Sequence, residues 1–164
     1  MIPNTIKVKD YLKVMDEYEA NAAILPGNVV ELMSTGKVRK HATASGNVAV
    51  MVAVEDELQG KGVEDAYAAG DRVQCWTPQR GDVVLMILAD GQNVAIGDFL
   101  ESDGAGRVQK HTVETVASAD AQTTNTIYSK PIIGMSLEAQ DLSTLDGSNS
   151  SLEANSQYIL VKIV

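Results

Sequence analysis

Cysteine is nearly absent from this sequence, which has Cys75 alone among its 164 residues. A single cysteine excludes a disulfide within the chain. Cys75 stands beside Trp76 in a run typical of a strand, so we expect a buried thiol and not a nucleophile. This cysteine usage is typical of a protein made in a reducing compartment.

Histidine is also scarce, and His41 and His111 are the two copies. Two histidines are too few ligands for a typical zinc site, and no carboxylates accompany them at ligand spacing. The motifs G-x-S-x-G, H-E-x-x-H and C-x-x-C are missing as well. We therefore expect no enzyme activity, no catalytic residues, no metal and no cofactor, and we interpret both histidines as structural. The acidic groups at residues 55–57 and 64–65 favour a solvated surface over a catalytic pair.

Basic residues are few: 13 lysines and arginines stand against 22 acidic residues, which gives a net charge of −9. Binding to nucleic acid needs clustered basic residues for phosphate contacts, so we expect no nucleic-acid partner. No apolar run approaches the length that spans a bilayer, and the polar N-terminus does not resemble a signal peptide. We therefore expect no membrane partner. Aromatic residues make up only 4% of the chain, so its core must consist mostly of aliphatic side chains.

An internal repeat is the main feature that the sequence does contain. Residues 24–41 read ILPGNVVELMSTGKVRKH and residues 94–111 read VAIGDFLESDGAGRVQKH, and they align without a gap at an offset of 70 residues. Each copy predicts a strand, a tight turn and a second strand. Glycine adopts the positive φ that such turns need at little cost. The glycines that we assign to structural turns are Gly27, Gly36, Gly97 and Gly106.

The repeat continues beyond the two hairpins. Each is followed by an apolar strand that ends at a glutamate, and later by a closing strand: residues 48–55 and 71–76 in the first half, 131–138 and 157–164 in the second. We predict pseudo-repeats 24–80 and 94–164 that share one core, because each is too small to bury its own faces. The alternative is that unrelated hairpins recur in any β protein.

The most apolar run of the chain, residues 83–88, predicts a central strand. Residues 112–129 and 142–155 have poor periodicity and many small polar side chains, which predicts long surface loops. We expect the core to include Val84, Leu85, Ile87, Phe99, Ile133 and Leu160.

The first 23 residues lie outside the repeat that the sequence shows. Asp10 can cap a helix, apolar residues follow at helical spacing, and Pro26 ends any helix. We predict that residues 1–23 form a short helix or arm, separate from a β domain of residues 24–164, that contacts a partner or a neighbouring subunit. The alternative is a helix packed permanently on the chain's own β domain. The predicted contact residues are Ile6, Val8, Leu12, Met15 and Tyr18.

The order of these segments resembles that of the capsid cement, or head decoration, proteins of tailed bacteriophages. The resemblance rests on Gly97-Asp98-Phe99-Leu100, the turn at residues 103–106, the strand at 107–110, the run PIIGMSLE at 131–138 and the closing strand at 158–163. It covers roughly the last seventy residues and, through the repeat, much of the rest. The N-terminal segment and the long loops are not covered.

The resemblance implies a mainly β fold, specifically a small β-barrel or β-tulip-like fold, without catalysis. It implies a structural protein that is made in the host cytoplasm and binds the outer surface of the capsid at capsomer junctions. The implied partners are the major capsid protein and further copies of the chain, as a trimer or dimer. Two alternatives are a virion surface module that binds host or carbohydrate, and a small hydrolase, which lacks support from any catalytic motif.

Overall fold

The computed structural model describes residues 4–10, 14–117, 124–127, 130–144 and 158–164. These residues form antiparallel strands almost throughout, which confirms the predicted mainly β class. The only helix among them is a 3-10 turn at Glu57–Gln59. The described strands form several open sheets, so the expected closed barrel is not present.

Six of the described strands lie in the first half of the chain. They are β1 Lys7–Lys9, β2 Met15–Glu19, β3 Val30–Leu32, β4 Val38–Lys40, β5 Val52–Ala53 and β6 Arg72–Trp76. A three-stranded sheet has the order β2-β6-β5. The strands β3 and β4 pair as a hairpin, called hairpin 1 here, and a bridge from Val29 to Val52 connects it to β5.

Nine more of the described strands lie in the second half. They are β7 Val83–Ile87, β8 Asn93–Val94, β9 Phe99–Ser102, β10 Val108–Lys110, β11 Glu114–Ala117, β12 Thr124–Ile127, β13 Gly134–Ser136, β14 Gln140–Asp141 and β15 Tyr158–Ile163. The largest sheet has the order β1-β7-β15-β13-β9-β10, and its β9–β10 pair is called hairpin 2 here. Two small sheets pair β8 with β14 and β11 with β12.

The two hairpins have the same strand register. In hairpin 1 the opposite residues are Val30 and Lys40, Glu31 and Arg39, and Leu32 and Val38; in hairpin 2 they are Leu100 and Lys110, Glu101 and Gln109, and Ser102 and Val108. Each pair lies 70 positions after its counterpart. The turn glycines also agree, since φ is 77° at Gly36 and 78° at Gly106. The repeat seen in the sequence is therefore a repeat of backbone structure.

The structural repeat starts earlier than the sequence alone suggested. Strand β2 pairs with β6 in the same way that β7 pairs with β15, antiparallel over five residues. A parallel bridge then connects Ala20 to Val38 in the first half and Leu88 to Val108 in the second. We therefore define module 1 as residues 15–76 and module 2 as residues 83–163.

The predicted N-terminal helix is wrong for the residues described. Met15–Glu19 forms β2, whose five residues all pair with β6. The apolar residues Met15 and Tyr18 suit a helical spacing, but hydrogen bonding to a neighbouring strand outweighs this weak local preference. Residues 11–13, which include part of the predicted helix, lie outside the described residues.

The core confirms most of the predicted residues and overturns one. Val84, Leu85, Ile87 and Ile133 are buried, and Leu160 packs against the core in a partly buried position. Phe99 is 45% exposed, so the prediction that it lies in the core is wrong. It is the first residue of β9, and the residue at the equivalent place in module 1, Val29, is fully buried.

Two surface predictions also need correction. The described parts of residues 112–129 include β11 and β12, which pair as antiparallel strands where a loop was expected. Glu55 and Asp56 are buried, although a solvated acidic surface was predicted. The Glu55 carboxylate accepts hydrogen bonds from the Thr5 hydroxyl and the Ile6 N–H, and these bonds offset the cost of burying its charge. Glu64 and Asp65 are exposed as predicted.

Candidate functional site

The predicted N-terminal contact residues have different environments. Ile6 is fully buried in the core, so its side chain cannot reach a partner at the surface. Val8, in β1, is 37% exposed. Met15 and Tyr18, in β2, are partly buried. Leu12 lies outside the described residues. The N-terminal strands therefore belong to the sheets of this chain, and Val8 is the predicted contact residue that is most available to a partner.

The strand β1 is held on the largest sheet by its pairing with β7. Its register shifts between Lys7 and Lys9, and the Ile6 carbonyl accepts a hydrogen bond from Leu85 N–H at 2.9 Å. Among the described residues β2 pairs only with β6, so no described strand covers its other edge. The equivalent edges of β7 and β2 thus differ: one is covered and the other is open.

The two histidines occupy equivalent positions but have different partners. His41 Nε2 donates to the Asn47 carbonyl oxygen at 3.2 Å, since a carbonyl can only accept, and its Nδ1 hydrogen-bonds the Ser102 hydroxyl at 2.7 Å. His41 therefore joins hairpin 1 to hairpin 2. His111 Nδ1 donates to the Glu101 carboxylate of its own hairpin at 2.7 Å.

Glu101 is a fully buried carboxylate at the contact between the modules. It accepts hydrogen bonds from the Ser45 hydroxyl of module 1, and from Gln109 and His111 of its own hairpin. Burial alone would raise the pKa of Glu101, but these three hydrogen bonds together hold its pKa below the usual range. The carboxylate therefore stays ionised and fixes the position of hairpin 2 against module 1.

The Gly106 peptide inserts into hairpin 1. Gly106 C=O accepts a hydrogen bond from Val29 N–H at 2.8 Å, and Gly106 N–H donates to His41 C=O at 3.1 Å. A Cβ atom on Gly106 would lie 2.9 Å from Lys40 Cβ, so only glycine fits so close an approach. Hairpin 1 therefore uses two backbone groups at its open end to bind module 2.

A second contact between the modules lies at Gly27. Its carbonyl accepts a hydrogen bond from Ile87 N–H at 3.3 Å, and a Cβ atom here would lie 2.8 Å from the Tyr158 ring. The Tyr158 hydroxyl shares its single hydrogen between two carbonyls of module 1, that of Val63 at 2.7 Å and that of Pro26 at 3.1 Å. The two modules therefore meet through backbone as well as side-chain groups.

The residues that correspond to these contact residues in the other copy of the repeat are exposed. Gly36 and Gly97 are exposed, and a Cβ atom on either would meet nothing within 4 Å. Leu32 takes the place of the buried Ser102 and is 55% exposed, and the exposed Phe99 takes the place of the buried Val29. The sequence analysis missed this pattern, although the changed side chains at these aligned positions, Val to Phe and Leu to Ser, were visible signals.

An open cleft of about 720 Å³ lies beside hairpin 1. Its walls come from β2, from hairpin 1 and from residues 47–51, and they are mostly apolar. Leu32 and Tyr18 both contribute to this wall. The cleft therefore continues the exposed apolar surface at the tip of hairpin 1.

The described residues offer no evident site for chemistry. Among them, no three histidine, cysteine or acidic side chains lie together as metal ligands would. Cys75 is buried, as predicted, and burial raises the pKa of its thiol to about 12. A thiol with so high a pKa remains protonated near neutral pH and is a poor nucleophile. None of the described helices is long and apolar enough to cross a membrane.

Comparison with known proteins relates this β fold to a solved phage structure. No protein-family model and no curated protein sequence matches the chain. The fold is similar to that of the N base of head fiber gp8.5 in bacteriophage phi29, with a TM-score of 0.53 and 12% sequence identity. The similarity covers 93% of this chain and 95% of the phage chain. At this identity the comparison shows a shared fold.

Proposed function

We propose that this chain is a structural protein of a tailed-phage head that binds the outer surface of the shell and decorates it at capsomer junctions. The carrying observation is the similarity to a head fiber base over nearly the full length of both chains. The sequence resemblance to head decoration proteins was drawn from local motifs, and it supports the same role.

The proposed partners are the major capsid protein and further copies of the chain, without nucleic acid, membrane or cofactor. The described side chains include no group of three possible metal ligands, which is compatible with a role by binding alone. The net charge of −9 would keep many copies soluble before they assemble. Val8 is the N-terminal side chain that we propose contacts the shell, since it is exposed beside the basic Lys7 and Lys9.

A binding assay with phage heads tests this role. Heads from a phage that lacks the gene for the chain are mixed with the purified protein and sedimented, and we expect the protein to sediment with them until its sites are saturated. Loaded heads should also resist heat better than bare heads. Protein that stays in the supernatant at saturating concentrations would contradict the proposed function.

A pair of variants tests the proposed contact separately. Val8→Asp should bind the heads at least tenfold more weakly, because it places a charge in an apolar contact. Leu58→Asp is the matched control, since Leu58 is 94% exposed on the 3-10 turn. Equal binding by both variants would remove Val8 from the contact while leaving the decoration role intact.

A further inference from the structure

The contact between the two modules is asymmetric, because each module contributes different residues to it. Module 1 contributes Gly27, Val29 and His41, whereas module 2 contributes the hairpin 2 tip and Tyr158. If a pseudo-two-fold axis related the modules, Gly36 would dock on Phe99 in the same chain. Both residues are exposed instead. The contact is therefore heterologous, and each module has an exposed counterpart of the hairpin end that the other module uses in this contact.

Hairpin 2 retains the backbone geometry that receives Gly106 in hairpin 1. His111 N–H donates to Phe99 C=O at 2.8 Å, as His41 N–H donates to Val29 C=O at 2.9 Å. In hairpin 1 the Gly106 peptide lies between Val29 N–H and His41 C=O. Apart from the strand pairs of β9, no backbone group of the described residues bonds to Phe99 N–H or to His111 C=O in the way that Gly106 bonds to hairpin 1.

The hairpin 1 tip has the same turn φ and strand register as the hairpin 2 tip, which is the part that inserts within the chain. Gly36 and Gly106 have φ values of 77° and 78°, and both hairpins have the same register. Gly36 N–H donates to Met33 C=O within its own turn, so its carbonyl is the group that can accept from Phe99 N–H. The hairpin 1 tip can therefore present a glycine carbonyl as the hairpin 2 tip does.

The unused surfaces are also more apolar than their buried counterparts. Leu32 is exposed where module 2 has Ser102, and Phe99 is exposed where module 1 has the smaller Val29. Aromatic and large aliphatic side chains exposed on complementary surfaces are typical of protein interfaces.

Within the chain, Gly106 C=O also accepts from the Asn28 amide at 3.1 Å, whereas the equivalent Asp98 carboxylate cannot donate, and Gly36 N–H is already bonded in its own turn. The hairpin 1 tip can therefore repeat one backbone bond of this contact, from Phe99 N–H to Gly36 C=O, and it adds apolar contact through Leu32.

We propose that a second copy of this chain binds head to tail, with hairpin 1 of one copy docked on Phe99 and His111 of the next. Gly36 C=O accepts a hydrogen bond from Phe99 N–H of the neighbour, and Leu32 packs against the hairpin 2 surface. This inference rests on the internal repeat and does not depend on the proposed phage role.

Sedimentation of the full chain with two interface variants tests the proposal. Phe99→Glu alters the receiving surface, and Gly36→Asn alters the inserting tip by adding a side chain where Gly106 leaves no room. Leu58→Glu and Gly60→Asn are matched controls, because Leu58 is exposed and Gly60 has a φ of 71° with open space around it. We expect the parent and both controls to associate, and the two interface variants to sediment as monomers.

A mixing experiment tests the direction of the contact. Phe99→Glu keeps an intact hairpin 1 tip and Gly36→Asn keeps an intact hairpin 2 surface, so an equimolar mixture should form one-to-one dimers that neither variant forms alone. Thermal melts of each variant against its control establish that it folds. A monomeric parent chain, a variant that associates like the parent, or a mixture that stays monomeric would each overturn the proposal.

Discussion

Val29 and Phe99 occupy equivalent positions in the two hairpins, and their surroundings differ because only Val29 is covered by the other module. Val29 is fully buried and its N–H binds Gly106, whereas Phe99 is 45% exposed. A phenylalanine is ordinarily the better core residue, since it buries more apolar surface. Burial at this position therefore depends on whether the other module covers it, and not on the type of residue.

This difference predicts opposite outcomes for two truncations. Val29→Ala should lower the free energy of unfolding by about 2 kcal/mol, because two methyl groups leave a packed site. Phe99→Ala should change it by less than about 0.5 kcal/mol, as expected for a surface position. Both are measured by chemical denaturation of protein dilute enough to be monomeric. A larger loss for Phe99→Ala than for Val29→Ala would contradict the described burial.

Glu101 predicts a pH dependence of stability. Its folded pKa is lowered, so it stabilises the fold fully above its unfolded pKa of about 4.3, and this contribution is lost as the pH falls through the folded pKa. Glu101→Gln should therefore melt at a lower temperature than the parent at pH 7, and the difference should shrink below about pH 4. Glu57→Gln, at an exposed glutamate, is the control. A difference that is constant with pH would show that the charge of Glu101 is not the cause.

At the scale of elements, β1 and β2 make different contributions to the fold. β1 is an added edge strand whose preceding residue, Ile6, fills the core. β2 is part of the repeat and corresponds to β7. The N-terminal segment therefore contains one strand that extends a sheet and one that belongs to a module.

Two deletions distinguish these contributions. Removing residues 1–10 takes away Ile6 and β1, and we expect a folded protein that is destabilised by at least about 2–5 kcal/mol, the usual cost of a core isoleucine. Removing residues 1–23 also takes away β2, which should abolish cooperative unfolding, because β6 loses all five of its β2 pairs. Circular dichroism melts measure both. A cooperative melt for the longer deletion would show that module 1 does not need β2.

The sequence predicted the hairpins well because glycines and alternating side chains recur at fixed spacing, and those signals are local. It did not predict β2, since Met15 and Tyr18 also suit a helix and the hydrogen bonds to β6 depend on residues more than fifty positions away. Nor did it predict the exposed Phe99, because the covering of Val29 by Gly106 is a contact between modules. The candidate contact surface is therefore visible only once the two modules are placed together.

At the scale of the whole molecule, the direction of the contact between modules limits how the chain can be used. One exposed surface presents the hairpin 1 tip and another presents Phe99, so the two surfaces are unlike. A self-complementary surface would suit a closed pair of chains, whereas two unlike surfaces suit a ring or an open series. Repeated weak contacts along a series would reinforce binding to a surface with many sites.

Because Gly106 inserts into hairpin 1, the hydrogen bonds of this hairpin are completed late in synthesis. During synthesis the residues of module 1 leave the ribosome first. The hydrogen bonds of Val29 N–H and His41 C=O can form only later, because their partner Gly106 is made 65 residues after His41. The hydrogen bonds to the Pro26 and Val63 carbonyls form later still, because their donor is the hydroxyl of Tyr158. The earlier half of the nascent chain is thus completed by the later half, and an interrupted chain lacks the groups that close its first hairpin.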